Sequence, residues 1–222
     1  MKTHNEILIE SHYLPSIAFF ALAQYYGNLT LEAKENFRKG SYRNRCEIMS
    51  SNGKMALSVP LEKGKNENMP ITDVKISYDS PWQHQHWMSL QSAYGKSPFW
   101  EHYSPYFFPV FHKKYEYLFD LNQNLILIIL KLLKSDIQIN CSTHWKKNID
   151  ESGIFDGRNL ITPKQPMLFN QTYQQVFSNK YEFNSNLSIF DLLMCEGQYA
   201  KLYLTNIASE FLTTLNENHQ GQ

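Results

Sequence analysis

Four cations crowd into the nine residues from Phe37 to Arg45, where Arg38, Lys39, Arg43 and Arg45 surround Gly40. The chain as a whole has no such excess, because its 21 Lys and Arg are cancelled by 21 Asp and Glu. A planar guanidinium takes a phosphate or carboxylate through two parallel hydrogen bonds, and two arginines flanking Asn44 present convergent donors beside one acceptor. The chemistry such a stretch serves is anion binding. Arg43 and Arg45 match a diphosphate, Lys39 adds a point charge, and Asn44 and Tyr42 orient what is held. The competing reading is a solvated basic turn whose arginines bond carbonyls of neighbouring loops.

His12 is the candidate acid–base group. It stands between a short apolar run and a helix, near the N–H groups of that helix's first turn, and an imidazole there can move a proton near neutral pH. Tyr13 lies at the same edge. His86, four positions after Trp82 on one helix face, joins the candidate set, with a half-buried histidine bonded to a carbonyl as the alternative. His84 and His86 are two apart on a helix and cannot converge on a metal. Cys46, Cys141 and Cys195 are far apart with no C-x-x-C pair, which suits reduced thiols better than zinc or a disulfide frame. Neither a metal nor a cofactor is expected. Asp191, in the first turn of a helix, reads as a complement to that helix's dipole. No Gly-rich phosphate loop and no G-x-S-x-G elbow occurs.

The elements that must position these groups follow from pattern. Ile7–Glu10 reads as a strand, Pro15–Tyr26 as a helix stopped by Gly27, and Leu29–Ala33 as a second strand; ligands bind at the carboxyl ends of strands in such folds. Asn52-Gly53 between Cys46–Met49 and Met55–Val59 predicts a hairpin, since both turn positions of the usual two-residue loop want positive φ. Glu62–Pro70 reads as a loop able to act as a flap, and Thr72–Tyr78 as a strand with Val74, Ile76 and Tyr78 on one face. Ser80-Pro81 starts a helix carrying Trp82, His86, Leu90, Ala93 and Tyr94, which Gly95 ends; Ser97-Pro98 starts another that runs to about Tyr103, before Pro105 and Pro109. Asp120 and Gln123 resemble a capping box for Leu121–Leu133, apolar nearly all round and expected to be the most buried helix. Ile137–Cys141 reads as a late strand, 142–165 as a long loop, Gln171–Phe177 as a short helix, Ser188–Gly197 as a capped helix and Tyr199–Leu215 as the last. The polar tail 216–222 is expected to fray.

Composition bounds the function. Aromatic residues make up 14 % of the 222, with 14 Tyr and 14 Phe, which is ample apolar surface for one globular domain spanning 1–222. Zero net charge excludes a broad nucleic-acid footprint, so any anion site is local. The apolar run Leu125–Leu130 is far below the roughly 20 residues of a membrane span. The polar start lacks the layout of a signal peptide, and a cytoplasmic protein is expected.

Several motifs carry a likeness beyond these patterns: Tyr13-Leu-Pro-Ser-Ile-Ala-Phe-Phe20, Lys39-Gly-Ser-Tyr-Arg-Asn-Arg-Cys46, Asn52-Gly53 with Leu57-Ser-Val-Pro60, and Trp82 with His86 and Ser92-Ala-Tyr94. Ser97-Pro-Phe99, Tyr173-Gln-Gln-Val-Phe177 and Asn186-Leu-Ser-Ile-Phe-Asp-Leu-Leu193 extend it. On these the chain resembles the WbqC-like family of bacterial proteins, in the shorter form common in Bacteroidetes, from about residue 7 to about 204. Longer members open with Gln-Pro-Tyr where this chain has Glu10-Ser11-His12, and they carry a Gly- and Tyr-rich segment that it lacks. The resemblance implies an association with O-antigen and related surface-polysaccharide synthesis.

The sequence therefore predicts an α/β (or α+β) single domain: an N-terminal strand-helix-strand unit, a hairpin, then a mainly helical C-terminal half. The expected function is a transferase-type enzyme acting on a nucleotide-linked sugar or another phosphorylated intermediate. His12 would be catalytic, and Lys39, Tyr42, Arg43, Asn44, Arg45, Tyr13 and His86 would bind the ligand. The alternative is a non-catalytic scaffold in the same pathway, docking a protein partner through aromatic surface around Phe99–Phe111.

Overall fold

The apolar run after the polar N-terminus forms a strand, β1 (Glu6–Ile9), whose Ile7, Leu8 and Ile9 are all buried. Such unbroken burial marks a central strand covered on both faces. β1 belongs to a four-stranded, wholly parallel sheet in a computed structural model that describes residues 4–63, 68–149 and 153–220, with backbone alone beyond Phe211. The other strands are β2 (Asn28–Leu31), β5 (Gln138–Cys141) and β6 (Ile154–Asp156), in the spatial order β5-β2-β1-β6. β3 (Arg45–Ser50) and β4 (Gly53–Ser58) form the expected antiparallel hairpin apart from the sheet. Positive φ falls on Gly53 alone, at 96°, one place later than a turn with two positive-φ residues would put it. The architecture is the predicted one: a mixed α/β domain with helices dominating its C-terminal half.

Helix α1 (Ile17–Tyr26) connects β1 to β2 and is apolar on every side, because it is clamped between the sheet and helices α5 (Ile189–Glu196) and α6 (Ala200–Gln220). Ser16 caps it by accepting from the Phe19 N–H at 3.4 Å, so the helix begins two residues after Pro15 rather than at it. Ser188 caps α5 in the same way, with the two caps bridged to each other and the Ser188 N–H bonded to the Glu47 carbonyl of β3. This seam ties the C-terminal helices to the first helix and the hairpin.

Other local expectations give way to tertiary partners. Thr72–Tyr78 is not a strand: a 3-10 turn, Ile71–Asp73, is followed by single bridges from Lys75 and Ile76 to Tyr117 and Leu61, with no partner long enough for a ladder. Val74 and Ile76 are nonetheless buried, so the alternation reported burial correctly. α2 (Trp82–Tyr94) buries the five residues its spacing named, but Ser80 does not cap it. The Ser97 hydroxyl donates to the Tyr94 carbonyl instead of capping α3 (Trp100–Phe107), and Pro105 sits inside that short helix. α4 (Leu118–Leu132) starts three residues early, placing Asp120 in its first turn, where it faces the positive end of the helix. α4 leaves Leu127 half exposed, so α1 and α5 are the more buried helices. The stretch 142–165 contains β6, Gln171–Phe177 is not helical, and α6 runs on to Gln220. Of the expected flap, residues 64–67 lie outside the described residues.

Candidate functional site

The sheet changes direction between β1 and β6: α1 carries the chain from β1 to β2 on one side, and β6 arrives on the other. Ligands collect beyond the carboxyl ends of strands at such a switch. Here each strand end delivers a polar residue to one place. Glu10 and His12 follow β1, Glu32 and Glu35 follow β2, Ser142 follows β5, and Arg158 and Asn159 follow β6. The ladders run past the strands, with the Glu32 N–H bonded to Ile9 and the Gly157 N–H bonded to Leu8, so the exits are held in register. Gly157 is required by space, since a Cβ there would lie 2.8 Å from Ile7 Cδ1.

Two ion-pair groups form the floor, a buried one around Arg43 and a partly exposed one around Arg158. Arg43, 1 % exposed, donates from Nε and Nη2 to Glu35 at 2.8 and 2.5 Å, and its Nη1 lies 3.8 Å from Glu10 Oε1. Glu10 also accepts the Asn159 N–H at 2.9 Å and faces His12 Nε2 at 3.5 Å. Burial alone would raise the Glu10 carboxyl, but His12, Arg43 and the Asn159 N–H outweigh it and hold the pKa at about 2. Burial pushes the His12 imidazole down, against the pull of Glu10. In the second group, Arg158 donates to Asp156 at 2.9 and 2.7 Å and to fully buried Glu32 at 3.3 Å. Glu32 also accepts from the Ser142 hydroxyl and the Lys34 N–H. Four carboxylates thus face two guanidiniums. Burial, reinforced by Glu10 and Glu32, pushes Glu35 upward despite Arg43.

Above this floor opens a cleft of ≈ 890 Å³, near the upper end of the about 300–1,000 Å³ usual for small-ligand sites. Lys34, Arg38, Lys39, Lys147 and Arg158 line it against only Glu35 and Asp156, with Asn36, Asn68, Asn159, Phe37 and Trp145 completing the wall. Arg38 donates to the Asn159 side chain at 3.0 Å. The wall carries an excess of positive charge.

Of the residues singled out by sequence, Lys39 lines this cleft and also a smaller hollow of ≈ 420 Å³ shared with Asn44. Arg38 lines the cleft as well, and the structure does not bring the others to its wall. Arg43 lies beneath it, bound to Glu35. Asn44 donates to the Val59 carbonyl, and Arg45 lies 3.7 Å from Glu47 on the hairpin. Tyr42 is buried against His12 and donates to Glu47. His12 is 0 % exposed and sits behind Glu10. Tyr13 and His86 pair with each other at 2.8 Å in the core, where burial pulls His86 down to about 4 despite the Ser58 carbonyl. Glu10, Glu32, Glu35, Lys34, Trp145, Lys147 and Asp156-Gly-Arg-Asn159 escaped the sequence reading. The signal available was position: Glu10 and Glu32 are each the first acid after an apolar strand.

Asp191 is more than a dipole complement. It is fully buried, accepts from Tyr173 at 2.5 Å and Gln175 at 3.2 Å, and burial raises it to about 6 against those donors. Among the described residues, no group of three or more His, Cys, Asp and Glu could hold a metal ion, and no helix is long and apolar enough to cross a membrane.

The sequence model of the WbqC-like protein family matches residues 10–156, which begins at the floor acid Glu10 and ends at the cleft acid Asp156. The motifs around Tyr173–Phe177 and Asn186–Leu193 lie beyond that match. The chain is similar to the uncharacterized protein Rv1507c of Mycobacterium tuberculosis, with 23 % identity over 128 residues, 58 % of this chain and 52 % of that protein. It spans about half the length of this curated relative. No solved structure matches it significantly.

Proposed function

The chain belongs to the WbqC-like protein family, and from that membership and its cationic cleft we propose a transferase-type protein of surface-polysaccharide synthesis, O-antigen included. It holds a nucleotide-linked sugar or another phosphorylated intermediate, with the phosphates against Lys34, Arg38, Lys39 and Lys147. The observation that carries this reading is the concentration of five cations in one cleft beyond the carboxyl ends of parallel strands. The floor beneath is tied by ion pairs and by hydrogen bonds past the strand ends, which position the backbone that carries those side chains. His12 then acts as a positioning residue through Glu10, and Glu35 is the titratable group beside the ligand.

The test is a thermal-shift screen against nucleoside diphosphates, nucleotide sugars and sugar phosphates. A ligand at a hundred times its Kd adds about 2.7 kcal/mol, a rise of roughly 5–10 °C for a chain of this size. Arg38→Ala with Lys147→Ala, both exposed, should abolish the rise while leaving the ligand-free Tm unchanged. A rise that survives this double substitution places the anion elsewhere and ends the proposal. A scaffold role is favoured by the half-exposed Tyr106, Phe108 and Leu127, and it becomes the better reading when no anion shifts the Tm.

A further inference from the structure

Trp145 is 55 % exposed, whereas Trp82 is buried and Trp87 and Trp100 pack against the core. It does not hang free on a loose loop. Arg158 donates to the carbonyls of the next two residues, Lys146 at 2.7 Å and Lys147 at 3.3 Å, and its guanidinium lies 6.0 Å from the indole centroid. Arg158 is itself anchored to Asp156 and Glu32 on the floor of the cleft. The chain that leaves β5 is therefore fastened across the cleft by one side chain, which sets the indole in the same wall as Lys34, Arg38, Lys39 and Lys147.

We infer that Trp145 is a stacking platform for a nucleobase, so that the ligand of this cleft is a nucleotide rather than a simple sugar phosphate. The inference rests on the cleft reading above and narrows it. A flat aromatic face takes any base, stacking being indifferent to sequence. The amides of Asn36 and Asn68 each offer both donors and an acceptor for the edge of a base, and Asn159, whose oxygen accepts from Arg38, adds donors. Anchoring a sugar on the ring would call for free carboxylates, which accept from several hydroxyl groups at once. The two carboxylates lining the cleft do not meet that need, since Glu35 is occupied by Arg43 and Asp156 by Arg158.

Isothermal titration of the full chain with UDP, ADP, GDP, pyrophosphate and glucose 1-phosphate separates the arms. Trp145→Leu should weaken the nucleoside diphosphates about tenfold or more and leave pyrophosphate unchanged, and Trp145→Tyr should restore most of the loss. Nucleotide binding should also quench part of the tryptophan emission, a signal that disappears in Trp145→Leu. Two results overturn the inference while leaving the cleft reading intact: nucleotide affinity unaffected by Trp145→Leu but lost with Arg38→Ala and Lys147→Ala, or glucose 1-phosphate weakened as much as UDP. Failure of every anion, pyrophosphate included, to bind overturns both.

Discussion

Replacing Arg43 by Ala should destabilise the protein by about 3–5 kcal/mol at pH 8, the usual cost of removing one partner from a buried ion pair. The guanidinium is 1 % exposed and satisfies Glu35 through two hydrogen bonds while lying 3.8 Å from Glu10, so its loss strands two buried carboxylates at once. For a chain of this size each kcal/mol moves the Tm by about 2–4 °C, which gives a fall of roughly 6–20 °C. The pH dependence separates this cause from simple loss of packing. In the native protein Glu10 is held at about 2 against an ordinary 4.5, so its contribution is present above about 4.5 and is lost as the pH falls toward 2. Without Arg43 both stranded carboxylates move upward, Glu35 further above its ordinary value and Glu10 from its depressed one. Their penalty is then full above the ordinary carboxylate range and disappears as they take protons. Urea unfolding at pH 8, 6 and 5, with m-values compared, should show a deficit that shrinks as the pH drops. Arg43→Met with Glu35→Leu should recover most of it, because two apolar partners leave less charge unpaired. A deficit below about 1 kcal/mol at pH 8, or one that is constant with pH, refutes the argument.

Asp191 carries the opposite sign. Its pKa is raised from 3.8 to about 6, so stability is greatest below 3.8 and declines as the pH rises through 6, by about 3 kcal/mol in all; Asp191→Asn should therefore gain on the native protein between pH 4 and 7 in urea unfolding, and a variant that loses ground to the native protein over that range contradicts the assignment. Gly197 closes α5 with φ 55°, and a Cβ there would fall 2.3 Å from the Phe99 ring. Gly197→Ala should cost about 2 kcal/mol or more in the same assay, and an unchanged midpoint would show that Phe99 moves aside freely.

Local chemistry was legible where a residue's own neighbours decide its conformation. The Gly27 stop, the hairpin around Asn52-Gly53 and the buried face of α2 from Trp82 to Tyr94 all follow from short-range pattern. β6 did not, because three residues, Ile154–Asp156, are too few to display a period and gain strand geometry only by pairing with β1. Cation density around Gly40 was visible, but its division was not. Whether an arginine faces solvent or a carboxylate depends on Glu35 and Glu10, which reach Arg43 from the ends of two different strands. Asp191 misleads for the same reason: a first-turn acid looks like a dipole complement until Tyr173, from a non-helical segment, closes over it.

The pairing of β1 with β6 also has a consequence in time. Leu8 meets Asp156, so the second edge of β1 has no partner until most of the chain has been synthesised. At roughly 5–20 residues per second that interval is on the order of ten seconds, long compared with the closure of a hairpin such as β3–β4. During it the nascent polypeptide presents Ile7–Ile9 as an unpaired apolar edge, the kind of surface that chaperones occupy. Asn159 and Arg158 reach Glu10 and Glu32 only when that edge is sealed. Closure of the cleft therefore waits on synthesis through Asn159, the last residue in sequence that lines it.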